Sequence, residues 1–388
     1  MKKRALVLLL NTIIIISLLV GCNTGAQPAN TPTPAPDSQS NAVVAETANP
    51  ENTAAVPEVS KESWTFTDQS DNEVTVQIPI ERMVVLQHHS LDILTQLGAQ
   101  EQIVGVESNW MRNLGSYMTD VFQNIESLPT PGDLTEWNVE EIANLKPDVV
   151  IAAAQANPEA MQKVRDLGIP VVVVSLRGEG KQEQAQSPRL SDADKAYTEG
   201  CEWALKTLGK LTGRDEKAER IWDFCLESRA LVEEAVGEMA EADRVRVFVT
   251  QPGDQTYGND KYVGCQLLRA GAINVAAAEI QGNGAYTFEK LAEWNPDFII
   301  VQDRYIEIYE QFTSDDKYKI LKAVQEDGLL LAPYWSKPWG NPDTDSIALG
   351  ELWLTHKFYP EKISADLVLD RVQTFYQDFY GVPFNGEV

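Results

Sequence analysis

The chain has 388 residues and a formal net charge of -26 at pH 7. Nucleic-acid binding requires a basic face, so this composition argues against a nucleic-acid partner, and we attribute the acidity to solubility outside the cell. Hydrophobic residues make up 43% of the sequence, and the length is sufficient for two domains.

The first 21 residues have the layout of a secretory signal peptide. Lys2, Lys3 and Arg4 precede an apolar run that ends in Leu-Val-Gly before Cys22. This pattern is typical of a signal rather than a spanning helix. The ending resembles a bacterial lipobox, which implies that Cys22 receives diacylglycerol, with acyl chains such as palmitate, and becomes the N-terminus. The alternative is an uncleaved anchor with an incidental Cys. Either way, we expect a membrane-anchored protein on the extracytoplasmic side.

Residues 22–60 form the next segment, rich in Ala, Pro, Thr, Asn and Ser. Such a composition buries too little apolar surface to offset the entropy of ordering, so it predicts a disordered tether. Beyond it, Cys201, Cys225 and Cys265 are odd in number and widely spaced. They predict buried small side chains rather than disulfides or a metal site.

The pattern after the tether is that of an α/β protein. In the first half, apolar runs predict strands at 82–86, 103–106, 149–152 and 171–174, and periodic segments predict helices at 91–97, 138–145 and 161–167. Such alternation is typical of a mainly parallel sheet with helices on its faces.

The middle of the chain changes character. Residues 192–242 are dense in Ala, Glu, Lys and Leu, with Gly213 as the main interruption, which predicts a long helix in two pieces. The α/β pattern then returns with strands at 245–249 and 298–301 and a helix at 262–270. We therefore expect an N-terminal lobe, an interdomain helix region and a C-terminal lobe, at 61–190, 191–243 and 244–388.

An internal repeat supports two lobes of similar construction. Residues 137–151 resemble residues 286–300: in each, an Asn or Thr N-cap starts a short helix with Glu at its second position. A Pro-Asp turn and an apolar strand follow. Two similar lobes create a cleft between them, a common place for a small-molecule site.

The chain resembles the iron-siderophore, haem and cobalamin binding proteins of ABC importers. The resemblance rests on both repeats and on the motifs at 82–86, 91–98, 103–106, 352–354 and 358–362. It implies two Rossmann-like lobes with mainly parallel sheets, joined by a single long helix, with the ligand in the cleft. It also implies a permease and an ATPase as partners, a monomeric receptor, and no cofactor, since the metal complex is the ligand.

The resemblance also implies a surface Glu in each lobe that meets basic residues of the permease. Matched motif to motif, these are Glu140 and Glu289. Favourable interaction with the helix dipole, about 0.3–1 kcal/mol, is the structural alternative for both residues. Glu141 fits a capping box with Asn138 and is interpreted as structural.

Ligand-binding residues are expected on loops that follow strand ends and face the cleft. Aromatic rings and Arg side chains there suit flat or anionic metal chelates. The candidates are His88, His89, Trp110, Arg112, Gln155, Tyr257, Tyr286, Arg304, Trp335 and Trp339. Packing in the core is the alternative for the two last tryptophans.

The adjacent imidazoles of His88 and His89 leave the ligand class open. They suit an open coordination position of a chelate, or a structural hydrogen-bonded role. A bare metal ion needs several clustered His or carboxylate ligands, and His356 is the only other histidine. We therefore predict no resident metal and place an iron complex (siderophore, haem or corrinoid) first. A molybdate-like oxyanion or a free metal ion is the alternative.

An enzyme is the alternative from another class. The sequence contains no Gly-x-Ser-x-Gly, His-Glu-x-x-His or phosphate-loop motif. We accordingly predict no catalytic residues, and a lipid-anchored hydrolase is the competing hypothesis, distinguished by turnover of a substrate.

Overall fold

The structure is a computed structural model that describes residues 61–179 and 190–388. The predicted signal peptide, the lipidation site at Cys22 and the tether lie outside these residues. Within them, no helix combines the length and the apolar character that crossing a bilayer needs.

Twelve strands form a hairpin and two sheets in the described part of the chain. The strands are β1 (Glu62–Thr67), β2 (Glu73–Ile78), β3 (Met83–Leu86), β4 (Ile103–Val106), β5 (Val149–Ala153), β6 (Val171–Val174), β7 (Val245–Gln251), β8 (Gln255–Tyr257), β9 (Ala272–Asn274), β10 (Asn283–Ala285), β11 (Phe298–Gln302) and β12 (Leu329–Ala332).

Helices surround the sheets and connect them. They are α1 (His88–Leu97), α2 (Trp110–Leu114), α3 (Met118–Val121), α4 (Val139–Asn144), α5 (Pro158–Asp166), α6 (Ala193–Thr212), α7 (Asp215–Val236), α8 (Tyr262–Arg269), α9 (Phe288–Trp294), α10 (Ile306–Ser314), α11 (Lys322–Gln325), α12 (Glu351–Phe358) and α13 (Ala365–Phe375). π-Helical turns at Ser346–Gly350 and Tyr376–Tyr380 adjoin α12 and α13.

The first sheet has the strand order β4-β3-β5-β6, and all its pairs are parallel. Strands β3, β5 and β6 are buried along their whole length, which explains their uninterrupted apolar sequences. The sequence predicts these three strands and β4 correctly. It does not predict the β1–β2 hairpin, whose alternating exposed and buried residues lie before the first predicted strand.

The second sheet has the order β10-β8-β7-β11-β12, with β9 also paired to β7. Strands β7, β9, β11 and β12 are parallel neighbours, and β8 and β10 add an antiparallel edge. Both sheets therefore bring the carboxyl ends of their parallel strands to one edge, where connecting loops can present polar side chains.

The helix-rich middle of the chain consists of α6 and α7. Gly213 separates them with a φ of 69°, the left-handed conformation that ends a helix, so the predicted interruption is confirmed. Buried Arg229 of α7 binds Glu351 of α12, with an Nη2–Oε1 distance of 2.9 Å. This pair ties the middle helices to the C-terminal part of the fold.

The sequence repeat corresponds to a repeated structure. In the first copy, Asp148 Oδ2 accepts hydrogen bonds from the backbone N–H groups of Glu81 and Arg82, at 2.9 and 3.0 Å. In the second, Asp297 Oδ2 accepts from the N–H of Arg246 at 2.7 Å. Each Asp thus anchors the start of the neighbouring parallel strand, β3 or β7, which explains why the Pro-Asp turn occurs twice.

The α/β class with two lobes is confirmed, and the lobe boundaries stay a prediction. The three cysteines Cys201, Cys225 and Cys265 are free and buried, as their number and spacing predict.

Replacing Asp148 by Ala should lower the free energy of unfolding by about 1–3 kcal/mol, because two backbone N–H groups lose a charged acceptor. Urea unfolding of the soluble domain measures the change. Asp166→Ala is the control, since its carboxylate accepts from the Gln162 side chain on an exposed helix face. Equal losses in both variants would contradict the anchoring role.

Candidate ligand site between the sheets

Four side chains from both halves of the fold meet at the edge where the strands end. His88 and His89 begin α1 directly after β3, Arg304 follows β11, and Trp339 lies in the loop after β12. We call His88, His89, Arg304 and Trp339 the histidine–arginine cluster. It joins residues that are up to 251 positions apart, from 88 to 339, so only the tertiary fold brings them together.

The cluster is closely packed. The two imidazole rings lie 4.4 Å apart between centroids, and the Trp339 ring meets them edge-on at 5.9 and 5.4 Å. The Arg304 guanidinium lies over Trp339, 4.3 Å from its centroid, in a cation–π arrangement.

Hydrogen bonds fix the orientation of Arg304 and Trp339. Arg304 Nε donates to Gln302 Oε1 at 2.7 Å, and Gln302 in turn donates to the carbonyl of Pro338 at 3.0 Å. The carbonyl of Trp339 accepts from the N–H of Val263 at 3.0 Å. The loop after β12 is therefore held by β11 and by the start of α8.

Both histidines are neutral at physiological pH. Burial, and then the positive charges around them, lower the pKa of His88 well below its usual value and that of His89 to about 3. Arg304 and Lys337 contribute to both shifts.

Three nitrogen atoms of the cluster are buried without a hydrogen-bond partner among the described residues. They are Nδ1 of His88, Nδ1 of His89 and Nε1 of Trp339. Nδ1 of His88 lies 3.8 Å from Glu107 Oε1, and Nδ1 of His89 lies 3.4 Å from Asp343 Oδ2; neither pair has hydrogen-bond geometry. Because an unpaired buried polar group costs about 1–3 kcal/mol, their coincidence indicates a place where a ligand supplies the missing partners.

Behind the cluster lies a buried ion group that we call the lysine cage: Lys337, Asp92, Asp343 and Asp345. All four side chains are fully buried. Lys337 Nζ donates to Asp92 of α1 and to Asp345, and it lies 3.4 Å from Asp343 Oδ2. The cage thus joins the first helix of the first lobe to the loop that carries Trp339.

The cage holds one ammonium among three carboxylates. Burial lowers the pKa of Lys337, but the charges of Asp343, Asp345 and Asp92 outweigh it and raise the pKa well above its usual value. Burial raises the pKa of Asp343 and Asp345, against the opposing charge of Lys337. The three carboxylates are close enough to hold a cation, and the Lys337 ammonium already supplies one.

Two further predicted residues lie near the cluster. The Tyr257 ring packs against Gly340, and Arg304 and Gln302 both influence its pKa, which burial raises. Gln155 is half-buried just after β5, beside the strand that leads to His88.

Four predicted residues lie elsewhere. Arg112 is exposed on α2, and Trp110 is buried in the core. Tyr286 packs against Phe248 with ring centroids 4.8 Å apart and belongs to the core around β11. Trp335 is buried against Trp353 and Phe384. Among the described residues, no hydrogen bond, ion pair or ring contact joins these four side chains to the histidine–arginine cluster. A ligand role for any of the ten stays a prediction.

The two matched glutamates occupy equivalent exposed positions. Glu140 lies in the first turn of α4, after the N-cap Asn138, and Glu289 in the first turn of α9, after the N-cap Thr287. The backbone N–H of Glu141 donates to Asn138 Oδ1 at 3.1 Å, which is one half of the predicted capping box. The other half is absent, because the N–H of Asn138 donates to the carbonyl of Pro131 at 2.7 Å, and Glu141 Oε2 accepts from Asn138 Nδ2 at 3.3 Å instead.

The sequence interpretation missed the buried charges of the site. Asp92 lies in the wholly buried α1, and Glu107 directly follows β4, where both are fully buried. The sequence does contain one sign that Asp92 is a buried charge, because its two neighbours in the helix are both apolar. Lys337, Asp343 and Asp345 lie in a loop without periodicity, where sequence alone gives no sign of burial.

Replacing Lys337 by Met should lower the free energy of unfolding by about 3–5 kcal/mol at pH 8, since three buried carboxylates lose their cation. The loss should shrink as pH falls. Burial raises the pKa of Asp343 and Asp345 in the folded state, and Lys337 opposes this shift. Without Lys337 the folded protein takes up protons at these carboxyls more readily, so its stability falls as pH rises and recovers as pH falls.

Urea unfolding at pH 5 and pH 8 tests this expectation. Lys319→Met is the control, because that ammonium is exposed beside Asp316. A small, pH-independent loss for Lys337→Met would show that the cage does not carry the interaction assigned to it.

Comparison with known proteins agrees with this architecture. Residues 83–333 match the family model described as periplasmic binding protein. The chain is 38% identical over 317 residues to the molybdate-binding protein MolA of Haemophilus influenzae, covering 81% of this chain and 90% of MolA.

Solved structures give the same result. The structure of H. influenzae MolA bound to molybdate has a TM-score of 0.79 and 36% identity, covering 83% of this chain and 99% of MolA. A periplasmic solute binding protein of Veillonella parvula has a TM-score of 0.66 at 21% identity, covering 84% and 94%, which supports the fold alone. The chain therefore belongs to the periplasmic binding protein family, the solute-binding components of ABC transporters, which bind a ligand and are not enzymes.

Proposed function

We propose that this protein is the receptor for a molybdate-like tetrahedral oxyanion. The observation that carries the proposal is the group of unpartnered buried nitrogens in the histidine–arginine cluster, beside the Arg304 guanidinium. The similarity to MolA, whose structure holds molybdate, supports the same ligand class. It favours the oxyanion alternative over the iron complex that we placed first from the sequence.

The chemistry of these groups suits an oxyanion. An indole N–H and a guanidinium donate hydrogen bonds and accept none, and an imidazole donates from one ring nitrogen when neutral. The four oxygens of a tetrahedral dianion such as molybdate only accept hydrogen bonds, so they are complementary to these donors. The cation–π contact orients the Arg304 fork beside the rings.

Titration of the soluble domain with molybdate should give saturable binding that depends on Arg304. Arg304→Gln should weaken it by about 10- to 100-fold, because a hydrogen bond to a charged group contributes roughly 1.5–3 kcal/mol. Trp339→Phe should weaken it less, since the ring remains and only the Nε1–H donor is lost. Calorimetry measures both.

The controls separate the site from the rest of the protein. Arg112→Gln removes an exposed guanidinium, and Trp335→Phe changes a buried indole that packs on Trp353. Both should bind molybdate like the wild type. Saturable binding of a ferric siderophore, haem, cobalamin or zinc, with none of molybdate or tungstate, would refute the oxyanion proposal.

The affinity for the oxyanion should fall as pH rises from 6 to 8. Burial raises the pKa of Asp303, next to Arg304, to about 6. Below that value this carboxyl is neutral; above it, the negative charge repels the ligand. A bound dianion raises the pKa of Asp303 further and opposes the lowering of the His89 pKa, so binding takes up protons.

Calorimetry in two buffers of different ionisation enthalpy measures that proton uptake. Asp303→Asn should reduce the pH dependence between 6 and 8, whereas Asp316→Asn, at an exposed carboxylate, should leave it unchanged. An affinity that rises with pH would contradict this linkage.

We further propose delivery from a lipid anchor at Cys22 to an ABC permease and its ATPase, with the receptor acting as a monomer. Glu140 and Glu289 are exposed, lie at equivalent helix positions and belong to matching repeats. Basic residues of the permease are the expected partners.

The double substitution Glu140→Ala with Glu289→Ala should lower uptake in reconstituted vesicles by about tenfold or more, because two charge pairs with the permease are lost. Binding of molybdate by the free receptor should not change. Glu310→Ala, an exposed carboxylate on α10, is the matched control. Undiminished uptake in the double variant would exclude docking through these residues.

A further inference from the structure

A second cavity, of about 550 Å³, lies where three distant segments of the chain meet. The segments are α3 with the residues beside it, Tyr334 after β12, and the C-terminal residues that follow α13. Its volume lies within the range of small-molecule pockets, about 300–1,000 Å³. The described residues that line it include no member of the histidine–arginine cluster or of the lysine cage, so it is separate from the candidate ligand site.

Aromatic rings form the walls of this cavity, which we call the tyrosine cavity after Tyr117, Tyr334 and Tyr376. The rings of Tyr117 and Tyr334 are stacked, with centroids 4.4 Å apart and an interplanar angle of 12°. The ring of Tyr376 lies 5.1 Å from that of Phe384, which also lines the cavity. Aromatic walls of this kind suit a ligand that carries an apolar ring.

Contacts in the core hold these walls in place. The hydroxyls of Tyr117 and Tyr380 both donate to Asp92 Oδ1, at 2.9 and 2.8 Å. The ring of Tyr380 in turn lies 4.9 Å from that of Tyr376. The walls are therefore anchored to the lysine cage, and the cavity is formed without a ligand.

One polar group of the cavity is left without a partner. Tyr376 is 3% exposed, and its hydroxyl is buried with no hydrogen bond to any described residue. Burial raises the pKa of Tyr376, and the Tyr334 phenol contributes, but the two hydroxyls do not have hydrogen-bond geometry. Leaving a buried hydroxyl unpaired is unfavourable, so a ligand that reaches it would supply the missing partner.

The charge of the cavity selects the class of ligand. Asp120 of α3 is exposed and lines the cavity, whereas no Lys, Arg or His is among the described lining residues. Aromatic faces attract cations rather than anions, and the net charge of -26 raises the local concentration of cations. An ammonium ion therefore fits the cavity and an oxyanion does not.

The C-terminal segment provides a way in for a ligand. Gly381 ends the last π-helical turn with a φ of 75°, and residues 382–386 then border the cavity. Phe384 anchors this segment with a ring 6.1 Å from that of Trp335, while Pro383 and Asn385 on either side are exposed. Because the segment is a chain terminus, it can move aside without displacing either sheet.

We propose that the tyrosine cavity binds a small ammonium ion that carries an apolar ring. The ring packs against the aromatic walls, the ammonium donates a hydrogen bond to the Tyr376 hydroxyl, and Asp120 supplies the opposite charge. This inference does not rest on the proposed oxyanion function, because the two sites share no lining residue and take ligands of opposite charge.

Thermal unfolding and calorimetry with benzylamine, an ammonium ion at pH 7, test the cavity. The wild type should bind one benzylamine per chain and unfold at a higher temperature in its presence. Benzoate has the same ring with the opposite charge, and methylamine has the same charge without the ring. Both should bind at least about tenfold more weakly than benzylamine.

Two substitutions locate the binding. Tyr376→Phe should weaken benzylamine binding by about three- to tenfold, because it removes one hydrogen bond. Asp120→Asn should weaken it by about two- to fivefold, since an exposed charge contributes less. Tyr309→Phe on α10 and Asp316→Asn after it are the matched controls and should bind like the wild type. Without benzylamine, Tyr376→Phe should unfold at the temperature of the wild type or above it, because the lost hydroxyl has no partner.

Several results would overturn the proposal. They are no saturable benzylamine binding up to about 10 mM, benzoate binding as tight as that of benzylamine, or equal weakening in a variant and its matched control. A Tyr376→Phe variant that is less stable than the wild type without benzylamine would do the same, since the hydroxyl would then have a partner in the protein. Molybdate titrations keep the two sites apart: molybdate affinity should stay within about twofold in Tyr376→Phe and Asp120→Asn, and a failure of molybdate to bind leaves the benzylamine result standing.

Discussion

The buried ammonium of Lys337 is the interaction on which the site depends. It binds Asp92, which lies on α1 one helical turn after His88 and His89, and it lies two residues before Trp339. The ion group therefore sets the position of the histidines relative to the indole. A hydrophobic core permits small shifts of a loop, whereas a charge held by three buried carboxylates has one favourable arrangement. The cage thus holds α1 and the loop after β12 in a fixed relative position, so that their hydrogen-bond donors are preorganised for a ligand.

The proposed oxyanion function requires a receptor with a net charge of -26 to attract an anion locally. Salt screens the acidic surface beyond about 8–10 Å, while groups within the lobe boundary are screened much less. Donors inside the cleft are mostly neutral rings, with Arg304 as the charged member. Directed hydrogen bonds from the cleft, rather than an attractive field around the whole molecule, would then select the ligand. This arrangement also limits the repulsion among donors in the empty site.

The sequence predicts most of the fold because its signals are local. Fully buried parallel strands appear as apolar runs, the helix break appears at Gly213, and the repeat predicts equivalent N-caps at Asn138 and Thr287. The His88–His89 pair is visible for the same reason. The β1–β2 hairpin and the lysine cage are not visible, since their roles depend on partners far away in the chain. The choice between an iron complex and an oxyanion is not visible in the sequence either, because the donors converge only in three dimensions.

The most direct test of the account is a crystal structure of the soluble domain grown with tungstate, using the anomalous signal of the metal to locate the ion. The account predicts an anomalous peak within hydrogen-bonding reach of the Arg304 guanidinium, the Trp339 indole and the imidazoles of His88 and His89. A fully occupied ion bound elsewhere, with those nitrogens still unpartnered, would contradict it.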